Sequence, residues 1–144
     1  PQVNIWTHGT LVTAMHGHLS FWGAYAMLIF AMIAFALPEM TGRKLYKGWM
    51  PEWAFWLSNI GMVSMTGAFA VAGITQVYLE RRVGMDFLDV QEAVSVHFLG
   101  LVLAASLFTI GIGLYIWNFL KYGVLANASV RTDSAPTAAS QPAK

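Results

Sequence analysis

Two histidines separated by one glycine, His16-Gly17-His18, sit inside an uncharged run from Leu11 to Leu37. Ionisable side chains at membrane depth are costly, and they face a bundle interior, a water-filled cavity or a bound partner. On an α-helix each residue advances about 100°, so the two imidazoles point roughly 200° apart. They cannot chelate one ion together. Each can bind a different metal, one on either side of the helix, which suits a helix wedged between two haems. The plainer reading is two histidines hydrogen-bonded to neighbouring helices. Neutral imidazole is a common haem ligand that needs no further charge compensation. Ser20 and Gly23 share the face of His16, Trp22 and Tyr25 share that of His18, and Gly17 keeps the helix slim between them.

Three further features carry donor or cationic groups. His8 lies eight residues before His16, outside the run; it is either a polar interfacial residue or a hydrogen-bond donor to a haem propionate. Arg81 and Arg82 are adjacent at the far end of a second uncharged run. Arginines at a helix end snorkel readily, and guanidinium groups also pair bidentately with carboxylates such as propionates. His97, near the start of a third run, reads as structural or interfacial.

The elements that must position these groups follow from composition. Only 10% of the 144 residues are charged and 57% are hydrophobic, against about 25% charged in a soluble domain; mean hydropathy is +0.56. The fold class expected is all-α and integral to a membrane. Three transmembrane helices are expected at about residues 11–37, 53–79 and 93–120, within a segment 1–122. The first would extend about 40 Å, more than the ~30 Å hydrocarbon core requires, and Pro38 is expected to end it. In the second, Ser64, Ala68 and Ala72 recur every four residues beside Gly61, a pattern that lets backbones approach. Residues 123–144 are rich in Ala, Ser, Thr, Pro and Gln and are expected to form a disordered tail. No cysteine is present, which removes disulfides, thiolate metal sites and covalent haem attachment; any haem would be held by His or Met. The net charge of +1 gives no sign of a nucleic-acid partner. No signal peptide is expected, since Pro1-Gln2-Val3 opens the chain without a basic region and cleavage site; a start partway through a longer protein is.

Basic residues set an expected orientation. Arg43, Lys44 and Lys47 in the first loop, with Lys121 and Arg131 after the third span, outnumber Arg81 and Arg82. The positive-inside rule then places the first loop and the C-terminal tail in the cytoplasm, with the N-terminus and residues 80–92 outside. His8, His16, His18, Arg81, Arg82 and His97 all fall towards the outer face.

At these residues the chain resembles a known family. His8-Gly9-Thr10 followed by His16-Gly17-His18 is similar to the tenth-helix motif of the haem-copper oxidase superfamily, where a His-Asp-Thr-Tyr run precedes a His-x-His at the same spacing. Arg81-Arg82 falls where that superfamily carries a propionate-binding pair. Residues 1–10, Ser58-Asn59-Ile60-Gly61-Met62 and the run Gly67 to Arg81 look like the catalytic large subunit of bacterial cytochrome c-dependent nitric oxide reductases, and the resemblance extends to about Tyr122.

The resemblance implies that His16 is the proximal ligand of a high-spin haem b3, where NO is reduced, and His18 an axial ligand of a low-spin haem b. It implies reduction of two NO to N2O and water, in the bacterial inner membrane, with the N-terminus of this segment periplasmic and a cytochrome c-containing small subunit as partner. About twelve spans are expected in the whole subunit, so this chain corresponds to the last three. The non-haem iron site and the second ligand of the low-spin haem would lie in the remaining N-terminal helices of the same subunit, and this chain alone is expected to be inactive. Gly17 stands where some oxidases of the superfamily carry Phe. Alternatives are the same segment of a cbb3-type oxygen-reducing oxidase or of a quinol-dependent NO reductase, and, in another class, a haem-free membrane scaffold or transporter bundle.

Overall fold

The computed structural model describes residues 2–41 and 48–125, and all regular structure among them is helical. A short helix, Gln2–Thr7, leads to Gly9, whose φ of +75° turns the chain. Thr10 then caps the next helix: its Oγ1 accepts the Val12 N–H at 3.3 Å and donates to the Thr7 carbonyl at 2.6 Å. The first span, Leu11–Met40, the second, Met50–Val83, and the third, Val96–Tyr122, are each long and apolar enough to cross a membrane. In lipid a helix satisfies its own backbone, which is why so apolar a sequence takes this form.

Helix ends depart from the sequence expectations in three places. Pro38 lies inside the helix Met27–Thr41 and does not end it. A proline removes one N–H, and this one falls in the last turns, where few hydrogen bonds remain to be broken. The second span opens at Met50, with Pro51 in its first turn, where the missing donor costs nothing, and Glu52 beside it on the positive end of the helix dipole. The third span begins at Val96, after a separate short helix Phe87–Val94. Val90 and Val94 of that helix are fully buried against Ala72, with Leu11 and Leu79 around them, so side-chain burial and not the apolar run sets its course. Residues 43, 44, 47 and 131, used for the orientation, and most of the expected tail lie outside the described residues.

Between lipid-soluble helices the gain comes from close packing and hydrogen bonds, because lipid tails are as apolar as leucine. The second and third spans run antiparallel in close contact. A β-carbon on Gly111 would stand 2.5 Å from the Ser58 nitrogen, and one on Gly61 would collide with the Phe108 backbone. The expected stripe of Ser64, Ala68 and Ala72 is corrected at Ser64, which is exposed; Ala68 is half-buried against the core, Ala72 is buried against the short helix, and the seam with the third span follows Ala54, Ser58, Gly61 and Met65.

The first span crosses this pair. It begins against Gly73, where a β-carbon would lie 2.5 Å from the Val12 nitrogen, and Leu11 N–H donates to Gln76 Oε1 at 2.9 Å. Trp22 is buried midway, its indole N–H reaching Asn59 Oδ1 at 3.2 Å and its ring meeting Phe108 edge-on at 4.9 Å. Further on, Phe30 stacks on Tyr115 at 4.8 Å. Trp22 belongs to a π-helical stretch, Phe21–Ala26, inserted between two α-helical halves of the span.

Candidate functional site

Thr10 and Gln76 fix the start of the helix Leu11–Ser20, and His16 and His18 follow within two turns. His18 Nδ1 lies 2.8 Å from the Ala14 carbonyl oxygen. A carbonyl only accepts, so this nitrogen carries a proton, and in the neutral ring Nε2 keeps a free lone pair. A backbone acceptor on one imidazole nitrogen is how ligating histidines are usually oriented. The ring also lies against Phe69, 5.1 Å between centroids.

His18 lines an apolar groove of ≈ 870 Å³ together with Gly17, Trp22, Tyr25, Met62 and Met65. That volume is in the range of cofactor sites, and Trp22 and Tyr25 are the same-face neighbours expected from the sequence. His16 is exposed and is not on the wall of this groove, in keeping with the angular offset that helix geometry gives the pair. A β-carbon at Gly17 or Gly23 would meet nothing within 4 Å, so space is open beside both histidines. The donor set fits a haem: each imidazole stands alone on its side of the helix, exposed and with open space beside it, and that of His18 borders an apolar groove of cofactor size. Among the described residues no three His, Asp or Glu side chains gather to hold a bare metal ion.

Arg81 and Arg82 are exposed in the π-helical turn Tyr78–Val83 that ends the second span. Gly84, with φ of +78°, stops that turn, and Met85 N–H closes it on the Leu79 carbonyl at 3.0 Å. Neither guanidinium has a partner among the described residues. The Leu11–Gln76 hydrogen bond puts the end of the second span beside the start of the first, so the arginines and the histidine pair share one end of the bundle. His8 is exposed, its backbone N–H bonded to the Asn4 carbonyl at 2.9 Å. His97 is half-buried at the break before the third span, with Nδ1 3.1 Å from the Val94 carbonyl.

Sequence reasoning passed over Gln76 and Asn59, two amides in an apolar run. Gln76 is 3% exposed and also donates through Nε2 to Glu80 Oε1 at 2.9 Å. An amide among hydrophobic residues is itself a signal, since it must find partners there.

Comparison with known proteins follows the same lines. The chain is 35% identical over 133 residues to a nitric oxide reductase subunit of Stutzerimonas stutzeri, covering 84% of this chain and 27% of that protein. It is 37% identical over 82 residues to cytochrome c oxidase subunit 1 of Rhodobacter capsulatus, covering 56% of this chain and 15% of that one. A cytochrome c oxidase subunit 1 homolog of Agrobacterium tumefaciens (strain T37) is 35% identical over 80 residues, covering 55% and 15%. The chain thus spans only about a quarter of the length of the reductase relative, and less of the oxidases. Residues 1–108, which hold the histidine pair and both arginines, match the family described as Cytochrome C and Quinol oxidase polypeptide I, and the chain belongs to that haem-copper oxidase family of membrane helical bundles.

Proposed function

We propose that residues 1–122 are the last three spans of the catalytic subunit of a nitric oxide reductase, followed by a cytoplasmic tail at 123–144. In this reading His16 and His18 bind two b-type haems on opposite sides of the first span: high-spin haem b3 at His16 and low-spin haem b at His18. When bound, the haems supply electron transfer and the binding and reduction of two NO to N2O and water, consuming two protons and two electrons.

The chain's own residues position and polarise. The Ala14 carbonyl holds the His18 ring with Nε2 free. Phe69 limits its rotation. Trp22, Met62 and Met65 keep water from the groove wall. Arg81 and Arg82 neutralise propionates at the outer end of the bundle, with His8 as a further donor. The non-haem iron, the remaining ligand of the low-spin haem and the cytochrome c-containing small subunit come from outside this segment, and the whole lies in the bacterial inner membrane with Pro1 periplasmic.

The observation that carries this reading is the single tethered imidazole of His18 on a wide apolar groove, with His16 turned away from it. Likeness to the reductase relative covers 84% of the chain, against 56% and 55% for the oxidases. Those two oxidase relatives favour a second reading, an oxygen-reducing enzyme. The test is the full-length catalytic chain co-expressed with its small subunit. A pyridine haemochrome assay should find two b haems per catalytic subunit. His18→Ala should lose the low-spin spectrum and His16→Ala the high-spin one, and the native enzyme should consume NO faster than O2. Retention of both haems in either variant rejects the site, and faster O2 consumption moves the assignment to the oxidases.

A further inference from the structure

The inference rests on the haem reading above and concerns a residue that touches no cofactor. Gln76 is buried on an uncharged, mostly apolar stretch of the second span, and both ends of its amide are used. Oε1 accepts the Leu11 N–H and Nε2 donates to Glu80 Oε1, each at 2.9 Å. The first amides of a helix have no partner within it. Thr10 takes that of Val12 and Gln76 that of Leu11, so the helix bearing the histidines is capped by the helix bearing the arginines.

The second bond acts on charge. Glu80 directly precedes Arg81. Neighbours one and two apart on a helix do not face each other as an ion pair does, but a carboxylate there that swung outward would set its negative charge beside both guanidiniums and offset their field. Tied to Gln76, one turn back along the helix, it leaves Arg81 and Arg82 without a partner among the described residues. A porphyrin is a rigid plate, so the separation of its iron from its propionates is fixed. Imidazoles on the first span and guanidiniums on the second must therefore be held at a set distance. Leu11 lies five residues before His16 and Gln76 five before Arg81, about 7.5 Å along each axis.

We infer that Gln76 is a positioning residue of the haem site, locking the register of the histidine helix against the arginine pair and holding the Glu80 carboxylate away from the guanidiniums that receive the propionates.

The experiment uses the full-length catalytic chain in the assembled enzyme. Gln76→Glu keeps the size and the acceptor for Leu11 but sets a carboxylate against Glu80, driving Glu80 towards Arg81 and Arg82. Haem content should stay at two per catalytic chain. The midpoint potential of at least one haem should fall, because positive charge near the propionates is cancelled, and turnover should drop about tenfold or more. The exchanged pair, Gln76→Glu with Glu80→Gln, restores one amide and one carboxylate and should return the potential to the native value. An unchanged potential in Gln76→Glu with both haems bound overturns the inference, as does an exchanged pair no better than the single variant. Should Gln76→Glu fail to assemble, the exchanged pair decides alone: native potential and haem content support the inference, and loss of either overturns it. Absence of two b haems from the native enzyme would instead overturn the haem reading, before any variant is made.

Discussion

Gly61 lies so near the Phe108 backbone that no β-carbon can stand between the second and third spans: its next neighbours would be Phe108 Cα at 2.8 Å and the Ala104 carbonyl oxygen at 2.9 Å. All are main-chain atoms, which cannot swing aside as a side chain can. Gly61→Ala should therefore destabilise the assembled enzyme by ~1–3 kcal/mol, the usual range for overpacking. Gly67→Ala, on the same helix with nothing within 4 Å of the new carbon, should be neutral or stabilise by up to ~1 kcal/mol through helix propensity. Thermal denaturation of the solubilised enzyme, followed by haem absorbance, compares the two. Equal midpoints would show that the close approach carries no weight.

That contrast also shows what the residues declare and what they withhold. Three apolar runs long enough to cross a bilayer declare three helices, and the His16–His18 spacing declares two opposite directions for the imidazoles. The inward face of each helix is withheld, because a lipid-embedded helix is apolar on every side and the periodicity that marks a soluble core is lost. The four-residue stripe of Ser64, Ala68 and Ala72 was thus a plausible seam, yet Ser64 is exposed, and the true seam alternates three and four through Ser58, Gly61 and Met65. The π-helical stretch Phe21–Ala26 is not legible either, since a wider turn leaves the apolar composition of the run unchanged. Pro38 does not mark its helix end because a membrane helix tolerates the one missing N–H, and the helix continues to Thr41.

Trp22 and Asn59 link the first two spans through one hydrogen bond next to the groove of His18. Trp22→Phe keeps most of the packing against Phe108 and leaves Asn59 Oδ1 without its donor, while Asn59 Nδ2 remains on the Phe55 carbonyl at 2.8 Å. Interhelical bonds of this kind are worth ~0.6 kcal/mol in membranes, at most about 1.7. A double-mutant cycle of Trp22→Phe with Asn59→Leu should give a coupling in that range. The low-spin haem spectrum should shift in Trp22→Phe, because Trp22 is one turn from His18. A coupling near zero would mean that the bond is incidental.

Arg81 and Arg82 supply two positive charges at the end of the bundle that holds the histidines. Arg81→Gln and Arg82→Gln should each leave haem content intact, since iron ligation is untouched, and lower a haem midpoint potential, since an added electron is less well stabilised. For a one-electron couple a tenfold change in equilibrium is about 59 mV, so shifts of tens of millivolts are expected. Potentiometric titration of each variant measures this. Potentials unchanged in both would reassign the arginines to snorkelling at the membrane surface.

Gly73 tests whether packing at the helix start reaches the site. A β-carbon there would stand 2.5 Å from the Val12 nitrogen and 2.9 Å from the Leu11 carbonyl carbon, so Gly73→Ala must push the first span away from the second. The displacement falls where Leu11 donates to Gln76, one and a half turns before His16, and it carries both imidazoles with it. Gly113→Ala, on the third span and away from the histidines, would meet nothing. The expected outcome is a graded pair: Gly73→Ala lowers haem occupancy or raises the high-spin fraction, and Gly113→Ala leaves both as in the native enzyme. A pyridine haemochrome assay of haem content, with resonance Raman markers of spin state, reads the difference. Were Gly73→Ala to bind both haems in native spin states, the contact at Val12 would be a matter of bundle stability alone, and the position of the histidines would have to be set by the helices that complete the enzyme.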